Sequence, residues 1–193
     1  MIKKIIISLS VVGIFYLYSC SPIGILGGAT TSTMVIAEGD RTLGTVVDDT
    51  TIKINISAKF LKSNNNLFID IGSNVIEGRV LLTGLVKTQE IRIDAVRIVW
   101  EVEGVKEVVN EIIVGSNTTI KEYANDLWIN TQAKALAAKT VGLRSLSYNF
   151  ETIKGKVYIA GITSRPEQLD DIIKVTKTIK GVKEIVNYVI LKE

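Results

Sequence analysis

Histidine is absent from this 193-residue chain, and cysteine occurs once. Without imidazole the chain lacks the commonest general base and the commonest transition-metal ligand, and every nucleophilic triad built on histidine is excluded. One cysteine makes no intramolecular disulfide, so a fold exported to an oxidising compartment would rest on its apolar core alone. A strong charge of either sign is also missing: 23 basic against 20 acidic side chains give +3. That is too weak for a general nucleic-acid binder. The N-terminal apolar run from Ile5 to Tyr18 has 14 residues, short of the about 20 that span a bilayer as a helix.

What that run does have is context. Lys3 and Lys4 precede it, and Ser19-Cys20 follows it, which is the basic, apolar, small order of a secretory signal. A cysteine after a small residue is where a bacterial lipoprotein signal is cut and the thiol acylated; the alternative is a plain signal with an incidental cysteine. The expectation is a signal peptide over 1–19 and lipidation of Cys20, with palmitate among the acyl chains. Ser21, not aspartate, comes next, so the expected location is the periplasmic face of the outer membrane. Cleavage would leave 174 residues carrying 21 basic and 20 acidic side chains. Residues 20–44 then form a tether, uncharged from Ser21 to Ala37, with Gly24, Gly27 and Gly28 keeping it pliable. As a random coil it reaches roughly 25–30 Å.

Compared with itself, the chain repeats. At a constant offset of 77 residues, Gly78, Val80, Gly84, Asp94 and Gly104-Val105-Lys106-Glu107 meet identical residues, as do Val109 and Asn110. Their partners run from Gly155 to Asn187, and the register extends back to Asp49/Asp126 and Ile52/Ile129. The expected organisation is one module over 45–114, a polar linker over 115–121 and a second module over 122–193.

Each copy reads as helix, strand, strand, helix, strand. In the second, Asn125 or Asp126 is expected to cap a helix running to about Ala138, with Ile129, Ala133 and Ala137 at spacing four. In the first, Ile52, Ile54 and Ile56 alternate like a strand, but the repeat assigns Ile52, Ile56 and Phe60 to the helical positions. Strands are expected over 68–76 and 79–85, and over 146–153 and 156–162, with hairpin turns at Glu77-Gly78 and Lys154-Gly155. Thr88 and Ser164 should cap the second helices, Pro166 sits in a first turn, and Gly104 and Gly181 should end those helices. Closing strands follow over 105–114 and 182–191. The fold class is α+β: two tandem modules, each a three-stranded sheet covered on one face by two helices.

The pattern G-x-V-x-x-x-G, a helix, then G-V-x-x-V-x-N resembles the BON domain, a small envelope module of order αββαβ. With a lipidatable cysteine, an uncharged tether and Arg41 to Asp49 ahead of them, the two copies resemble outer-membrane lipoproteins built on two BON domains. The resemblance implies a non-enzymatic protein without cofactor or metal that binds anionic phospholipid and supports envelope integrity. It places lipid contact on the first helix of the second module.

The repeat singles out residues on that helix independently. Leu127 and Trp128 align with Thr50 and Thr51, so the shared fold does not need large apolar groups there. Such extra surface serves a membrane, a partner or packing between modules. Tryptophan suits a headgroup region, and residues 122–193 carry +3 whereas 45–121 carry −1. Leu127, Trp128, Lys134 and Lys139 are therefore the expected lipid-binding residues, with an anionic membrane as partner and an envelope protein as a further candidate. Ile93 and Trp100 form an apolar strip where the second copy has Asp170 and Lys177; packing between the modules is expected there. Asp48-Asp49 reads as a helix cap and Asp170-Asp171 as an exposed turn, and neither as a metal or catalytic site. Asn110 and Asn187 are expected to satisfy backbone groups. The rival to lipid binding is a periplasmic scaffold for a protein or the cell wall.

Overall fold

The computed structural model describes residues 42–63, 69–116 and 118–192, without the side chain of Leu43. Cys20, the expected signal peptide and most of the tether lie outside the described residues. The first module comprises α1 (Leu43–Ser63), β1 (Ile71–Ile76), β2 (Arg79–Val86), α2 (Gln89–Trp100) and β3 (Glu107–Val114). The second comprises α3 (Ile120–Val141), a 3-10 turn (Gly142–Ser147), β4 (Tyr148–Ile153), β5 (Lys156–Thr163), α4 (Pro166–Lys177) and β6 (Glu184–Leu191). Every strand and both second helices are related by the 77-residue offset. The α+β, αββαβ reading stands in both copies.

Each sheet has the order first, second, third strand, the first pair antiparallel and the second pair parallel. The parallel pair encloses the second helix as its crossover, as parallel strands require. Ile52, Ile56 and Phe60 of α1 are buried with Val80, Leu82, Ala95 and Val99 in one core. Ile129, Ala133 and Ala137 of α3 are buried with Phe150, Val157, Ile159 and Ile172 in the equivalent core. The alternating isoleucines of 52–56 are thus helical. Burying Ile52 and Ile56 one turn apart outweighs β-branched propensity, and the Thr50 and Thr51 hydroxyls donate to the carbonyls of Val46 and Val47, 2.7 and 2.9 Å away.

The first helices begin earlier than expected, and this changes the role of a residue. Thr42 receives the amide of Thr45 at 3.3 Å, and Thr119 forms a reciprocal capping box with Glu122. These threonines, one repeat apart, cap the helices; Asn125, Asp126 and the Asp48-Asp49 pair do not. Asp49 and Asp126 lie inside their helices and are buried. Asp49 accepts from the amides of Glu77 and Gly78 at 2.8 and 2.9 Å, and Asp126 from those of Lys154 and Gly155 at 2.6 and 2.8 Å. Both turns have two successive positive φ angles, 54° and 81° in one copy and 53° and 82° in the other, the geometry of a two-residue hairpin. A Cβ on Gly78 or Gly155 would stand 2.8 Å from the carbonyl oxygen of Gly104 or Gly181, so only glycine fits.

Two smaller expectations also change. Thr88 caps α2 through the amide of Ile91, but the N-cap position of α4 is Arg165, one residue past Ser164, and its side chain makes no capping bond. The C-caps of α2 and α4 are Glu101 and Thr178, three residues before Gly104 and Gly181, whose positive φ closes the following turn instead. Asn110 and Asn187 behave as expected: their side-chain oxygens accept from the amides of Ile112 and Val189 at 3.1 and 2.9 Å. Both lie on edge strands, where such groups would otherwise face outward unpaired.

The sheet faces opposite the helices are buried against each other. Ile76 and Leu81 pack with Tyr158, Ala160 and Ile162, joined by Val109, Ile153, Val186, Tyr188 and Ile190. Successive strand residues point to opposite faces, so Val80 and Leu82 serve the helix-side core while Leu81 serves the junction. Ionic and hydrogen-bonded contacts border it. Glu111 accepts from the Tyr188 hydroxyl and from Lys156 Nζ at 3.4 Å, and Lys192 Nζ lies 3.1 Å from Glu77. Burial, then the bond to Glu111, pushes the Tyr188 hydroxyl up to about 12.

Removing one buried carboxylate tests this scheme. Asp126→Ala leaves two turn amides without an acceptor and should cost about 2–4 kcal/mol in urea unfolding. Asp171→Ala, exposed on α4, should change stability by less than about 0.5 kcal/mol.

Candidate functional site

Helix α3 carries the surface that distinguishes the second module. Its inner face is fixed by Asp126, Ile129, Ala133 and Ala137, all buried. Leu127 and Trp128 remain 56% and 57% exposed, and Ile120 and Tyr123 are exposed as well. Lys121, Lys134 and Lys139 are also exposed. At about 100° per residue, Leu127 and Lys134 share one strip and Trp128 and Lys139 another, about 100° further round. The four expected lipid-binding residues therefore do not form one cluster. They mark two strips on the outward part of one helix, with Ala124, Thr131, Ala135 and Ala138 between.

The strip between is small and weakly polar, and the lysines sit at its flanks: Lys134 on the Leu127 side, Lys121 and Lys139 on the Trp128 side. That is the cross-section of a helix resting in a membrane interface, with an apolar centre and cationic borders. Lys121, seven residues before Trp128, is a residue that sequence reasoning missed. Its spacing would have placed it beside Trp128 had the helix been started at the Thr119-x-x-Glu122 box. Glu122 is held below the usual carboxylate range by the Thr119 amide and hydroxyl. It therefore stays anionic in the first turn, where the helix dipole favours it.

Position by position, the first module has no counterpart of Leu127 and Trp128, although Val47, Ile54 and Leu61 are exposed along α1 at the positions of Ala124, Thr131 and Ala138. Thr50 and Thr51 stand where Leu127 and Trp128 stand, and their hydroxyls are turned back onto the helix. The expected packing of Ile93 and Trp100 between modules is not found. They are 57% and 52% exposed on α2, because the modules meet through the rear faces of their sheets. Asp170 and Asp171 are exposed, and among the described residues no group of three or more acidic or cysteine side chains could hold a metal ion. No described helix is long and apolar enough to cross a membrane.

Duplicated αββαβ modules, each a three-stranded sheet with two helices on one face, define the class of fold. Both copies match the model of the BON domain, over residues 48–116 and 125–193, and the chain belongs to the BON family. It is 40% identical over 147 residues to an uncharacterised protein in the gshII 5' region of Anaplasma centrale, covering 76% of this chain and 96% of that one. It is 26% identical to the outer membrane lipoprotein DolP of Haemophilus influenzae, over 96% of this chain and 94% of DolP. It is also 27% identical to the osmotically-inducible protein Y of Escherichia coli, over 75% and 73%.

The contrast between adjacent positions is measurable. Trp128→Ala should shift urea stability by less than about 0.5 kcal/mol. Ile129→Ala, one residue on and fully buried, should cost about 2–4 kcal/mol.

Proposed function

We propose that this BON protein is a non-enzymatic lipoprotein of the outer membrane, anchored through Cys20 on the periplasmic face. It binds anionic phospholipid through the outward surface of α3 and supports envelope integrity. The observation that carries the reading is the exposed Leu127–Trp128 pair on a lysine-flanked helix, at positions where the sister module has two threonines. The similarity to DolP along nearly the whole chain supports the anchor and the location. The charge difference between the copies favours the same helix, since each lysine near an anionic surface is worth about 1 kcal/mol.

Mechanistically, the acyl chains keep the protein at the bilayer, so the helix contact works at high local lipid concentration and can be individually weak. Trp128 enters the headgroup region, Leu127 and the alanines follow its edge, and Lys121, Lys134 and Lys139 meet phosphates. The rival, a scaffold for an envelope protein or the cell wall, is favoured by one observation. Ile93 and Trp100, seven residues apart on α2, leave an exposed apolar strip that the lipid reading does not use.

Two measurements decide. Trp128→Ala should weaken binding to phosphatidylglycerol vesicles by about 1–3 kcal/mol, while Trp100→Ala leaves it unchanged. Unchanged affinity in the first variant with loss in the second would reverse the assignment. Cys20→Ser should abolish the acyl mass increment and release the protein from the membrane fraction; an unchanged mass and fractionation would show that no lipid is attached there.

A further inference from the structure

A groove of about 720 Å³ runs between the modules, beside α3 but on the flank away from Trp128. Its size lies within the roughly 300–1,000 Å³ of small-molecule sites. Apolar walls come from both copies: Ile69, Leu85 and Ile91 from the first, Tyr123, Leu127 and Ile153 from the second. The acidic members Asp70, Asp126 and Glu151 outnumber the one lysine, Lys87. The groove is thus acidic, although the module that supplies Asp126 and Glu151 has a positive net charge.

Two wall residues carry polar atoms that the fold does not use. Thr152 is only 5% exposed, and its hydroxyl oxygen has no hydrogen-bond partner. The sister position is Val75, buried in the equivalent core, so the module folds equally with an apolar group there. The side-chain oxygen of Asn130, one turn beyond Asp126 on α3, is likewise buried without a partner; its sister is Lys53. Glu151 replaces Asn74. Its carboxyl is pushed above the usual range by the surrounding protein, while Lys134 and Lys53 draw it back down and Asp126 adds to the rise. Thr152 puts an oxygen where the first copy has carbon, and Asn130 puts one where it has a lysine side chain. Buried oxygens without donors are costly; Asn130 and Thr152 both line this groove, and the exposed Glu151 borders it.

We infer that this groove binds a single alkyl chain bearing an ammonium head. The chain lies against Leu127, Tyr123, Ile69 and Leu85, and the head donates to the oxygens of Asn130 and Thr152, with the Glu151 carboxyl group at the border of the groove adding negative charge. The site is separate from the anionic-lipid surface: Leu127 borders both, but Trp128 belongs only to the outer one. Its preference for the sign of the head is opposite to that of the lysine-flanked face.

A matched pair of probes tests this on the full-length protein. Dodecylammonium and dodecanoate, both kept below their micelle-forming concentrations, share one chain and differ in the head. By amide NMR, dodecylammonium should give saturable shifts at Leu127, Asn130, Thr152 and Ile153, and dodecanoate should bind at least tenfold more weakly. Glu151→Gln should weaken dodecylammonium several-fold. Thr152→Val, which installs the sister module's residue, should fold normally and also bind more weakly. Trp128→Ala should leave this titration unchanged even though it weakens vesicle binding. Equal affinity for the two heads, no saturable shift, wild-type affinity in both groove variants, or loss of binding in Trp128→Ala would each overturn the assignment. Absence of vesicle binding with a positive dodecylammonium titration would overturn the proposed function and leave the groove.

Discussion

One buried carboxylate per module organises everything around it. Asp49 and Asp126 reach from the first helix to two amides of a hairpin turn 28 and 29 residues later. Both turn residues hold positive φ, which is unfavourable for Glu77 and Lys154. The carboxylate stabilises that conformation and at the same time fixes the height of the helix along the sheet. The turn carbonyls of Gly78 and Gly155 then receive the amides of Lys106 and Lys183, each at 2.9 Å, which sets where the third strand starts. Helix, hairpin and edge strand meet at one charged group, and the hydrophobic cores fill in behind it.

That arrangement explains why the two copies diverge so freely elsewhere. Once Asp49 or Asp126 and the turn glycine are in place, the inner helix face can be Ile52, Ile56 and Phe60 or Ile129, Ala133 and Ala137. Its outer face is unconstrained. The first copy has Thr50 and Thr51 beside an exposed strip of Val47, Ile54 and Leu61; the second places Leu127 and Trp128 beside alanines. Differentiation of the surface proceeds without loss of the scaffold because the residues that hold the scaffold are few and inward-facing.

Much of the fold was legible because a repeat turns one ambiguous segment into two independent readings. The isoleucines of 52–56 alternate like a strand, and only their register with Ile129 and Ala133 revealed the helix. The role of Asp49 and Asp126 was not legible, since an aspartate near a helix start reads as a cap, and its true partners lie far along the chain. The module junction did leave a trace. Arg79–Val86 and Lys156–Thr163 are nearly continuous apolar runs, as strands buried on both faces are, but the same runs also suit the centre of a sheet with one face open. Of the candidate site, Leu127 and Trp128 were visible by contrast with their sister threonines. Lys121 was hidden by a helix start set six or seven residues too late, and the groove was hidden because its walls come from both copies.

The junction of the two sheets has a consequence for how the protein behaves as an object. It is a dimer interface in every physical sense, apolar at the centre with Glu111, Lys156, Glu77 and Lys192 at its border, yet its two halves belong to one chain. Dilution cannot separate them, because the connection from Gly115 to Thr119 holds each half at a high effective concentration near the other. Subunit exchange, mixed pairing and dependence on expression level, which complicate ordinary dimers, are thereby removed. The two unlike halves stay in a fixed one-to-one ratio, however few copies are present.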